Sequence, residues 1–331
     1  MDSFKALLIE ERDGKVVSGF STLDETRLDP GSVTIRVAYS SVNYKDALAA
    51  TGAGKIIRRF PCVGGIDLSG TVIASDDPRF KADDPVIATS FDIGVAHHGG
   101  YAEIARVPGD WVVPLPEGLS LYDAMALGTA GFTAALAVVR MEENRLTPAS
   151  GPVIVTGATG GVGSLAVDIL AKRGYHVVAL TGKESEADYL RSLGASEVML
   201  RSTLDLSKIR PLDKARWAGA VDNLGGDVLA WIASTMAQGG TIASIGLAAS
   251  MSLNTTVAPF ILRGVSLLGV DSGYIREPYR SGVWQHLAAD MRPPHLASMS
   301  RRIGFDELPA TFNEYIAGRA KGRVVVAIGG N

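Results

Sequence analysis

We predict from the sequence an α/β protein that combines a Rossmann doubly wound parallel sheet with a second, β-rich domain. The first observation is the stretch Gly151–Lys183, which reads as strand, glycine turn, helix and strand. The second is that strand and helix patterns alternate from Pro152 to about Gly273, as in parallel sheets. The third is the first hundred or so residues, where short alternating runs are separated by Gly, Pro and Asp clusters.

The β-rich part comes first along the chain. Its strands are predicted at Phe4–Glu10, Val33–Tyr39, Ser69–Ala74, Pro85–Ala88 and Tyr101–Val107. After Leu119 the pattern becomes helical. At the other end of the chain, an amphipathic helix is predicted at Asp306–Gly318 and a last strand at Arg323–Ile328.

The glycine turn is the strongest motif in the chain. Val153–Val155 is a continuous apolar run, typical of a buried parallel strand, and a helix is expected to start within the glycines that follow. One helix face would be apolar, through Val162, Leu165, Ala166, Ile169 and Leu170. The helix N-terminus offers free N–H groups and partial positive charge to a pyrophosphate, so the expected cofactor contacts are Thr159, Gly160, Gly161, Val162 and Gly163. The alternative is a glycine turn that binds no ligand.

The end of the next strand, His176–Leu180, indicates which dinucleotide binds. An NAD enzyme would place Asp or Glu there against the ribose hydroxyls, whereas this chain has Thr181, Gly182 and Lys183. A hydroxyl, a flexible glycine and a cation suit a 2′-phosphate, so the predicted cofactor is NADPH. Glu184 follows at once and argues the other way, unless it is favoured by the dipole of the next helix.

Four further strands complete a predicted sheet of about six: Val198–Leu200, Ala220–Val221, Thr241–Ile245 and Ser266–Val270. Ligands of such sheets bind at the carboxyl ends of the strands, so Gly246 and Leu247 are expected to line the cofactor crevice.

Composition limits the kinds of partner. With 331 residues, 47% of them hydrophobic, the chain is long enough for two domains. A net charge of −3 and no basic tract make a nucleic-acid partner unexpected. The uncharged stretch Ala124–Val139 is too short to span a membrane, and Met1–Lys15 has no secretory pattern. A single cysteine, Cys62, points to a reducing compartment, so we expect a cytoplasmic protein.

Several sequence blocks, taken together, resemble one superfamily. They are Asn43-Tyr44-Lys45-Asp46, Phe60-Pro61 with Gly64-Gly65-Ile66-Asp67 and Gly70, Gly99-Gly100-Tyr101-Ala102-Glu103, Gly128-Thr129-Ala130-Gly131-Phe132-Thr133-Ala134, the glycine turn, and Gly322-Arg323-Val324-Val325. Their order resembles that of the medium-chain dehydrogenase/reductase superfamily and covers the whole chain.

A finer resemblance is carried by Ser41–Asp46, Gly54–Arg58, Trp217–Asp222, Pro259–Arg263 and Gly269–Ser272. These look like the NADPH-dependent acrylyl-CoA reductase branch of the zinc-free, quinone oxidoreductase-like enzymes. The resemblance implies a GroES-like substrate domain in residues 1–125, completed by 273–331, a Rossmann NADPH-binding domain in 126–272, and a homodimer.

The inventory of metal ligands is consistent with a zinc-free protein. Structural zinc usually needs four cysteines and catalytic zinc three protein ligands, whereas this chain has one cysteine and five histidines. Zinc members of the superfamily carry Gly-His-Glu where this chain reads Gly65-Ile66-Asp67. A site formed by His97, His98 and an acid is conceivable, but adjacent side chains diverge, and we expect no metal.

Reduction of an activated C=C bond needs no metal. NADPH can transfer hydride to the β-carbon of an α,β-unsaturated thioester, giving an enolate that hydrogen-bond donors stabilise before the α-carbon is protonated. The candidates are Tyr44, to contact the nicotinamide or supply the proton, and Asn43, to orient cofactor or substrate. Alternatively, Asn43 and Asp46 only cap the helix that starts here.

The resemblance also implies cofactor contacts at Thr129, Thr133, Leu267, Leu268 and Arg323. For the leucines the alternative is ordinary sheet core, and for Arg323 a solvated charge. An acyl-CoA substrate would need cations for its phosphates, and Lys55, Arg58, Arg59 and Arg263 are candidates. Each of these four could instead be a solvated surface charge.

Three functions remain open at this point. The first is NADPH-dependent reduction of acrylyl-CoA to propanoyl-CoA. The second is a broader quinone or 2-alkenal reductase on the same scaffold. The third is a non-catalytic NADPH-binding redox sensor, since fold alone does not determine function.

Overall fold

The computed structural model describes residues 3–329. Its strands are β1 (Phe4–Arg12), β2 (Lys15–Leu23), β3 (Val33–Val42), β4 (Cys62–Val63), β5 (Asp67–Ser75), β6 (Pro85–Thr89), β7 (Ile104–Val107), β8 (Val112–Pro114), β9 (Val153–Thr156), β10 (Val177–Thr181), β11 (Glu197–Leu200), β12 (Trp217–Asp222), β13 (Met236–Ser244), β14 (Ser266–Gly269), β15 (Ser300–Gly304) and β16 (Arg323–Ala327). Its α-helices are α1 (Tyr44–Thr51), α2 (Leu121–Glu143), α3 (Gly161–Lys172), α4 (Ala187–Ser192), α5 (Gly226–Thr235), α6 (Ala258–Arg263), α7 (Tyr279–Ala288), α8 (Leu296–Met299) and α9 (Leu308–Ile316).

The chain forms two compact units. The first comprises Met1–Thr129, Ser272–Ala288 and Leu296–Asn331, and the second comprises Ala130–Asp271 and Ala289–His295. The domains predicted at 1–125 with 273–331 and at 126–272 therefore have slightly different bounds from these units. Met1, Asp2, Gly330 and Asn331, at the outer ends of the predicted ranges, lie outside the described residues.

The short segment Ala289–His295 is tied to α3 within the second unit. The Lys172 ammonium donates to the carbonyl of Arg292, at 3.0 Å. The buried Asp168 carboxylate accepts the His295 backbone N–H at 2.9 Å and lies 2.8 Å from the His295 ring. These side chains of α3 explain why the segment packs with the second unit.

The second unit is built on a six-stranded sheet whose order is β11-β10-β9-β12-β13-β14. Every neighbouring pair is parallel. Counted from β9 the order is 3-2-1-4-5-6, the Rossmann order, and the predicted parallel sheet is confirmed. All of β9 is buried, as its apolar run predicts, and α3 begins at Gly161, within the glycines. Helix α3 is buried on more than one face from Gly163 to Leu170.

The first unit is β-rich, as predicted. A three-stranded sheet has the order β2-β1-β4. A seven-stranded sheet has the order β15-β16-β3-β5-β6-β8, and β7 pairs with β3. Strand β3 thus lies inside this sheet, between β16 and β5, and α1 follows its end directly after Asn43.

Helix α2 is broken at Gly128, where φ is 53° and ψ is −157°. By length and mean hydropathy alone α2 could cross a membrane, but 83% of its most apolar 18-residue window is buried in the protein. The bend divides the helix into two parts that are each shorter than this window. Thr129 is the first residue after the bend, so it opens the second part, and Thr133 lies one turn later.

Candidate active site

The glycine turn after β9 holds the chain in a shape that side chains would disrupt. Gly157 has a φ of +58°, in the left-handed region that favours glycine. A Cβ on Gly163 would lie 2.3 Å from the carbonyl oxygen of Gly157, so only glycine lets α3 approach the turn this closely. A Cβ on Gly160 would be 3.3 Å from the same oxygen, a much milder contact. The turn therefore leaves the N–H groups of the first turn of α3 open to a phosphate.

Next to this turn, three polar residues connect the carboxyl ends of β9 and β12. The Thr156 hydroxyl donates to the Asp222 carboxylate at 2.8 Å and accepts the backbone N–H of Asn223 at 2.8 Å. The Asn223 side-chain amide donates to the Thr156 carbonyl at 2.7 Å. Burial raises the pKa of Asp222, although the hydrogen bond from Thr156 opposes the shift. Strands β9 and β12 flank the topological switch point, where Rossmann sheets bind their ligands.

The predicted 2′-phosphate residues line a pocket of about 250 Å³. Thr181 is buried, and its hydroxyl accepts the backbone N–H of Lys183 at 3.0 Å, which orders the turn. The lining residues are Gly157, Thr159, Leu180, Thr181, Gly182, Lys183, Arg201 and Leu224. Glu184 does not line this pocket; it is exposed at the start of the short turn Glu184–Glu186.

Arg201 lines this pocket and was not predicted from the sequence. It follows β11 directly, and a Cβ built on Gly182 would lie 3.8 Å from its guanidinium. Arg201 also lines a neighbouring pocket of about 370 Å³ with Gly182. The guanidinium supplies the bidentate geometry that Lys183 lacks. A cation directly after the third strand of a Rossmann half, at the same sheet edge as Lys183, was the available signal.

The remaining predicted cofactor residues of the second unit occupy varied positions. Gly246 packs closely on Asn223, because a Cβ there would lie 2.6 Å from the Asn223 carbonyl oxygen. Leu247 is exposed, Val162 is half-buried, and Thr133 is buried.

The two leucines of β14 do not belong to the sheet core, which was the alternative to a cofactor contact. Leu267 is exposed and Leu268 is half-buried.

In the first unit, Asn43 and Tyr44 lie at the start of α1. The Asp46 carboxylate accepts the backbone N–H of Asn43 at 2.8 Å, so the capping interaction proposed as the alternative is present. The Asn43 side-chain amide also donates to Asp67 at 2.8 Å, and its oxygen accepts from Arg323 at 3.2 Å. Asn43 is thus more than a helix cap. The Tyr44 side chain is 52% exposed.

Asn43 belongs to a polar network that we call the Asp67 cluster. Its members are Ser41, Asn43, Asp46, Asp67, Thr129 and Arg323. Asp67 is fully buried and Arg323 is 2% exposed, so the solvated-charge alternative for Arg323 is wrong. The guanidinium donates to Ser41 at 3.0 Å and to the Ala126 carbonyl at 2.9 Å. Burial, followed by the negative charge of Asp67, raises the pKa of Asp46 to about 7.

The four candidate CoA-binding cations are in different situations. Arg58 pairs with Asp92 and donates to the Tyr274 hydroxyl, and Arg59 pairs with Asp29. Arg263, in the second unit, donates to the carbonyls of Ser234, Met236 and Asp213, which makes it a structural residue. Lys55 is exposed. Arg58 and Lys55 are the two that lie at the surface of the first unit without a buried acidic partner.

His97 and His98 have a structural explanation. The His98 ring accepts the backbone N–H of Val63 at 3.0 Å, and the backbone N–H of His98 donates to the Asp29 carboxylate at 2.7 Å. The His97 ring packs edge-on against Trp111. Burial lowers the pKa of His98, which favours the neutral ring. Within residues 3–329, no group of three or more His, Cys, Asp or Glu residues is placed to hold a metal ion.

Cys62 lies beside the same loop and is fully buried. Its thiol is 3.4 Å from the carbonyl of His97. Burial, followed by the charge of Asp29, raises the pKa of this thiol to about 12. The thiol therefore stays protonated near neutral pH.

Two family models match the chain. One described as "Alcohol dehydrogenase GroES-like domain" matches residues 29–117, and one described as "Zinc-binding dehydrogenase" matches residues 161–289. The first match lies within the β-rich unit, which confirms the predicted GroES-like fold. The second begins within the glycine turn, at Gly161, and covers strands β10 to β14 of the parallel sheet.

Individual proteins match over nearly the full length. YhfP of Bacillus subtilis, provisionally named a quinone oxidoreductase, is 48% identical over 326 residues, covering 98% of this chain and 99% of YhfP. The acrylyl-CoA reductase AcuI of Ruegeria pomeroyi is 46% identical over 329 residues, with 98% and 99% covered.

The crystal structure of YhdH from Escherichia coli K-12, with bound NADPH, is 49% identical and has a TM-score of 0.94, covering 98% of this chain and 99% of that one. The crystal structure of YhfP, with NAD bound, has a TM-score of 0.95 at 47% identity, covering 99% and 100%. The order of the motifs, the two folds and these full-length matches agree, and the chain is an oxidoreductase that belongs to the medium-chain dehydrogenase/reductase superfamily.

Proposed function

We propose that this chain is an NADPH-dependent reductase that reduces the activated C=C bond of acrylyl-CoA, giving propanoyl-CoA. The observation that carries the cofactor choice is the pocket in which Thr181, Lys183 and Arg201 meet. A hydroxyl and two cations around a small pocket favour a phosphate over the bare ribose of NADH. The NADPH bound to YhdH supports the same choice, and the NAD bound to YhfP is the competing possibility that the test must address.

The substrate assignment rests on the similarity to the acrylyl-CoA reductase AcuI and on chemistry. When bound, the nicotinamide cofactor supplies a hydride, and the protein must orient the substrate and stabilise charge on its carbonyl oxygen. In the first unit, Tyr44 is 52% exposed, and the Asn43 amide is held by its hydrogen bond to Asp67. We infer that Asn43 orients substrate or cofactor and that Tyr44 contacts the nicotinamide or supplies a proton.

Lys55 and Arg58 are the surface cations of the first unit that we propose for the CoA phosphates. Arg59 and Arg263 remain candidates by charge, but each is engaged with partners that hold it for structural reasons. Binding of phosphate by Arg58 would compete with its pairing to Asp92.

The test is a spectrophotometric assay of NADPH or NADH oxidation by the purified chain with acrylyl-CoA, crotonyl-CoA or a simple quinone. The proposal expects fast oxidation of NADPH with acrylyl-CoA and little with NADH or quinone. Reduction of quinone alone would replace the proposal with the quinone reductase activity named for YhfP. Binding of NADPH without turnover of any acceptor would favour the redox-sensor function.

We also infer that the chain forms a homodimer through the open edge of β14. In the described sheet β14 pairs only with β13, and the neighbouring helix α6 exposes Ile261 and Leu262 at 72% and 64%. Val257, just before α6, is 66% exposed. An unpaired strand edge beside exposed apolar side chains is typical of a surface that another copy covers.

A further inference from the structure

The bend at Gly128 leaves two helix ends inside the first unit, and both are met by buried charges. Before the bend, the Arg323 guanidinium donates to the carbonyls of Ala126 and Met125, at 2.9 and 3.5 Å. After it, the backbone N–H of Thr129 donates to the two oxygens of Asp67, at 3.1 and 3.2 Å. A cation at a helix C-terminus and an anion at a helix N-terminus are each favoured by the helix dipole.

This arrangement leaves no room for a side chain at the bend. A Cβ on Gly128 would lie 2.7 Å from Asp67 Oδ2, 2.8 Å from Arg323 Nη2 and 3.0 Å from Ser41 Oγ. With a φ of 53°, the position also favours glycine on backbone grounds. The absence of a side chain at Gly128 therefore allows the Asp67 carboxylate and the Arg323 guanidinium to lie this close to the bend.

The Asp67 carboxylate is also the point at which two predicted site residues meet. It accepts from the Asn43 amide at 2.8 Å and from the Thr129 hydroxyl at 2.5 Å. The Ser41 hydroxyl donates to it as well, at 2.6 Å. Every one of these groups donates, and an ionised carboxylate is the side chain that only accepts.

The two site residues are fixed from their other sides too. The Asn43 side-chain oxygen accepts from Arg323, so both ends of the amide are oriented. The Thr129 hydroxyl lies 2.9 Å from the Ser90 hydroxyl. Ser90 has a φ of +65° and Phe91 a φ of +50°, and such non-glycine strain occurs often at functional sites.

We propose that Asp67 is a positioning residue of the reductase, whose carboxylate holds the Asn43 amide and the Thr129 hydroxyl in their working orientation. The proposal rests on the proposed function, in which Asn43 orients substrate or cofactor, and on the cofactor contact that the family resemblance implies for Thr129. Asp67 itself is fully buried, and it acts only through these two residues.

The experiment is Asp67→Asn, which keeps the size of the side chain but turns an NH₂ donor toward other donors. We expect kcat to fall on the order of 100-fold, as for small misplacements of reacting groups, with KM for the acceptor within about threefold. We expect the Kd of NADPH to rise about three- to tenfold relative to that of 2′,5′-ADP, which lacks the nicotinamide. Equal loss of both affinities with unchanged kcat would overturn the proposal.

Control variants separate positioning from folding. Asp168→Asn removes another buried carboxylate, on α3, and should keep the wild-type kcat. Thr129→Val should lose activity, while Thr129→Ser, which keeps the hydroxyl, should recover most of it. The double variant Asp67→Asn with Thr129→Val should lose less than the product of the two single losses. Losses that multiply would contradict action through Thr129.

Ser41→Ala serves if Asp67→Asn fails to fold, because it removes one donor from the carboxylate and keeps the charge. We then expect kcat to fall about threefold to tenfold with 2′,5′-ADP binding unchanged. An unchanged kcat would count against the proposal.

The assay uses whichever acceptor the wild-type protein reduces. The result for the acrylyl-CoA assignment can then be distinguished from the result for the positioning role of Asp67. Reduction of quinone alone would end the acrylyl-CoA assignment but leave the Asp67 comparison intact. If the wild type reduces no acceptor, the ratio of the NADPH and 2′,5′-ADP affinities decides, and an unchanged ratio in Asp67→Asn overturns the proposal.

Discussion

Arg201 and Lys183 bring two positive charges to one small pocket of the second unit, beside the hydroxyl of Thr181. Charge-assisted hydrogen bonds are stronger than neutral ones, and the fork of an arginine can hold two phosphate oxygens at once. Lys183 acts as a single point of charge. Arg201 is therefore the residue whose loss should affect cofactor choice most.

We expect Arg201→Ala to weaken NADPH binding about 10- to 100-fold, because one charged hydrogen-bonding group is lost. NADH binding should change by less than about threefold, since NADH has no 2′-phosphate. Cofactor titration followed by fluorescence measures both constants. Arg191→Ala is the matched control, because Arg191 is an exposed arginine of α4 that pairs with Asp188 outside the pocket. Equal weakening of both cofactors would show that Arg201 acts elsewhere.

Asp46 makes the stability of the first unit depend on pH. Its pKa is raised to about 7 by burial and by the charge of Asp67, whereas an unfolded aspartate titrates near 3.9. The native protein therefore binds the proton more tightly, so this contribution to stability is full below about pH 4 and is lost as the pH rises to about 7.

We expect Tm to fall less between pH 5 and pH 8 in Asp46→Asn than in the wild type, because Asn does not titrate. The difference between the two slopes corresponds to a change on the order of 2 kcal/mol for the wild-type group over that range. His98, whose pKa is lowered, works in the opposite direction in acid and is present in both proteins. Thermal unfolding at constant ionic strength gives the slopes. Parallel curves would show that Asp46 is ionised throughout.

At the scale of elements, the packing of α3 against the turn after β9 is sensitive to single amino-acid substitutions. The helix begins where the chain has turned back over Gly157, and Gly163 is the point of closest approach. Burial of α3 from Gly163 to Leu170 means that a shift of the helix disturbs a large part of its packing.

We expect Gly163→Ala to destabilise the protein by about 1–3 kcal/mol, since the added methyl overpacks against backbone. NADPH binding should weaken with it, because the first turn of α3 must move. Gly282→Ala is the control: this glycine lies in α7 with nothing within 4 Å of a built Cβ, so alanine should raise stability by up to about 1 kcal/mol. Denaturant unfolding measures both, and a fully stable, cofactor-binding Gly163→Ala would contradict the close approach.

The sequence pattern was informative wherever burial imposed a period on the residues. The Rossmann strands were predicted because both faces of that sheet are covered, which leaves continuous apolar runs such as Val153–Val155. Strand β2 (Lys15–Leu23) gave no signal, because most of its residues are exposed and do not alternate. Strands β4 and β8, with two and three residues, are too short to show any period.

Site residues could be predicted from the sequence where local sequence marked them, and not where only tertiary contacts bring them together. The glycines and Lys183 were visible because local backbone shape or adjacent sequence marked them. Arg201 and the partners of Asp67 are brought in by tertiary contacts between residues far apart in the chain, such as Ser41 and Thr129. The burial of Arg323 was equally invisible, since its partners come from β3, Asn43 and α2. An acid inside the apolar run Ile66-Asp67-Leu68 was the available hint.

At the scale of the whole molecule, the open edge of β14 is the surface that we propose as the interface of a homodimer. We expect the wild type to have the mass of a dimer by size exclusion with light scattering. Ile261→Asp should shift it toward monomer, weakening association at least about tenfold if this side chain lies in the centre of the interface. Val17→Asp, in the exposed β2 of the first unit, should leave the mass unchanged. A wild-type monomer would refute the dimer, and an unchanged mass in Ile261→Asp would move its interface elsewhere.

The position of Cys62 has a consequence for an enzyme that handles electrophiles. Acrylyl thioesters are Michael acceptors, and a thiolate is the protein nucleophile that they alkylate most readily. The chain has one cysteine, and its thiol is shielded from solvent and held protonated near neutral pH. An acrylyl-CoA reductase built this way would be protected from alkylation by its own substrate at its one cysteine.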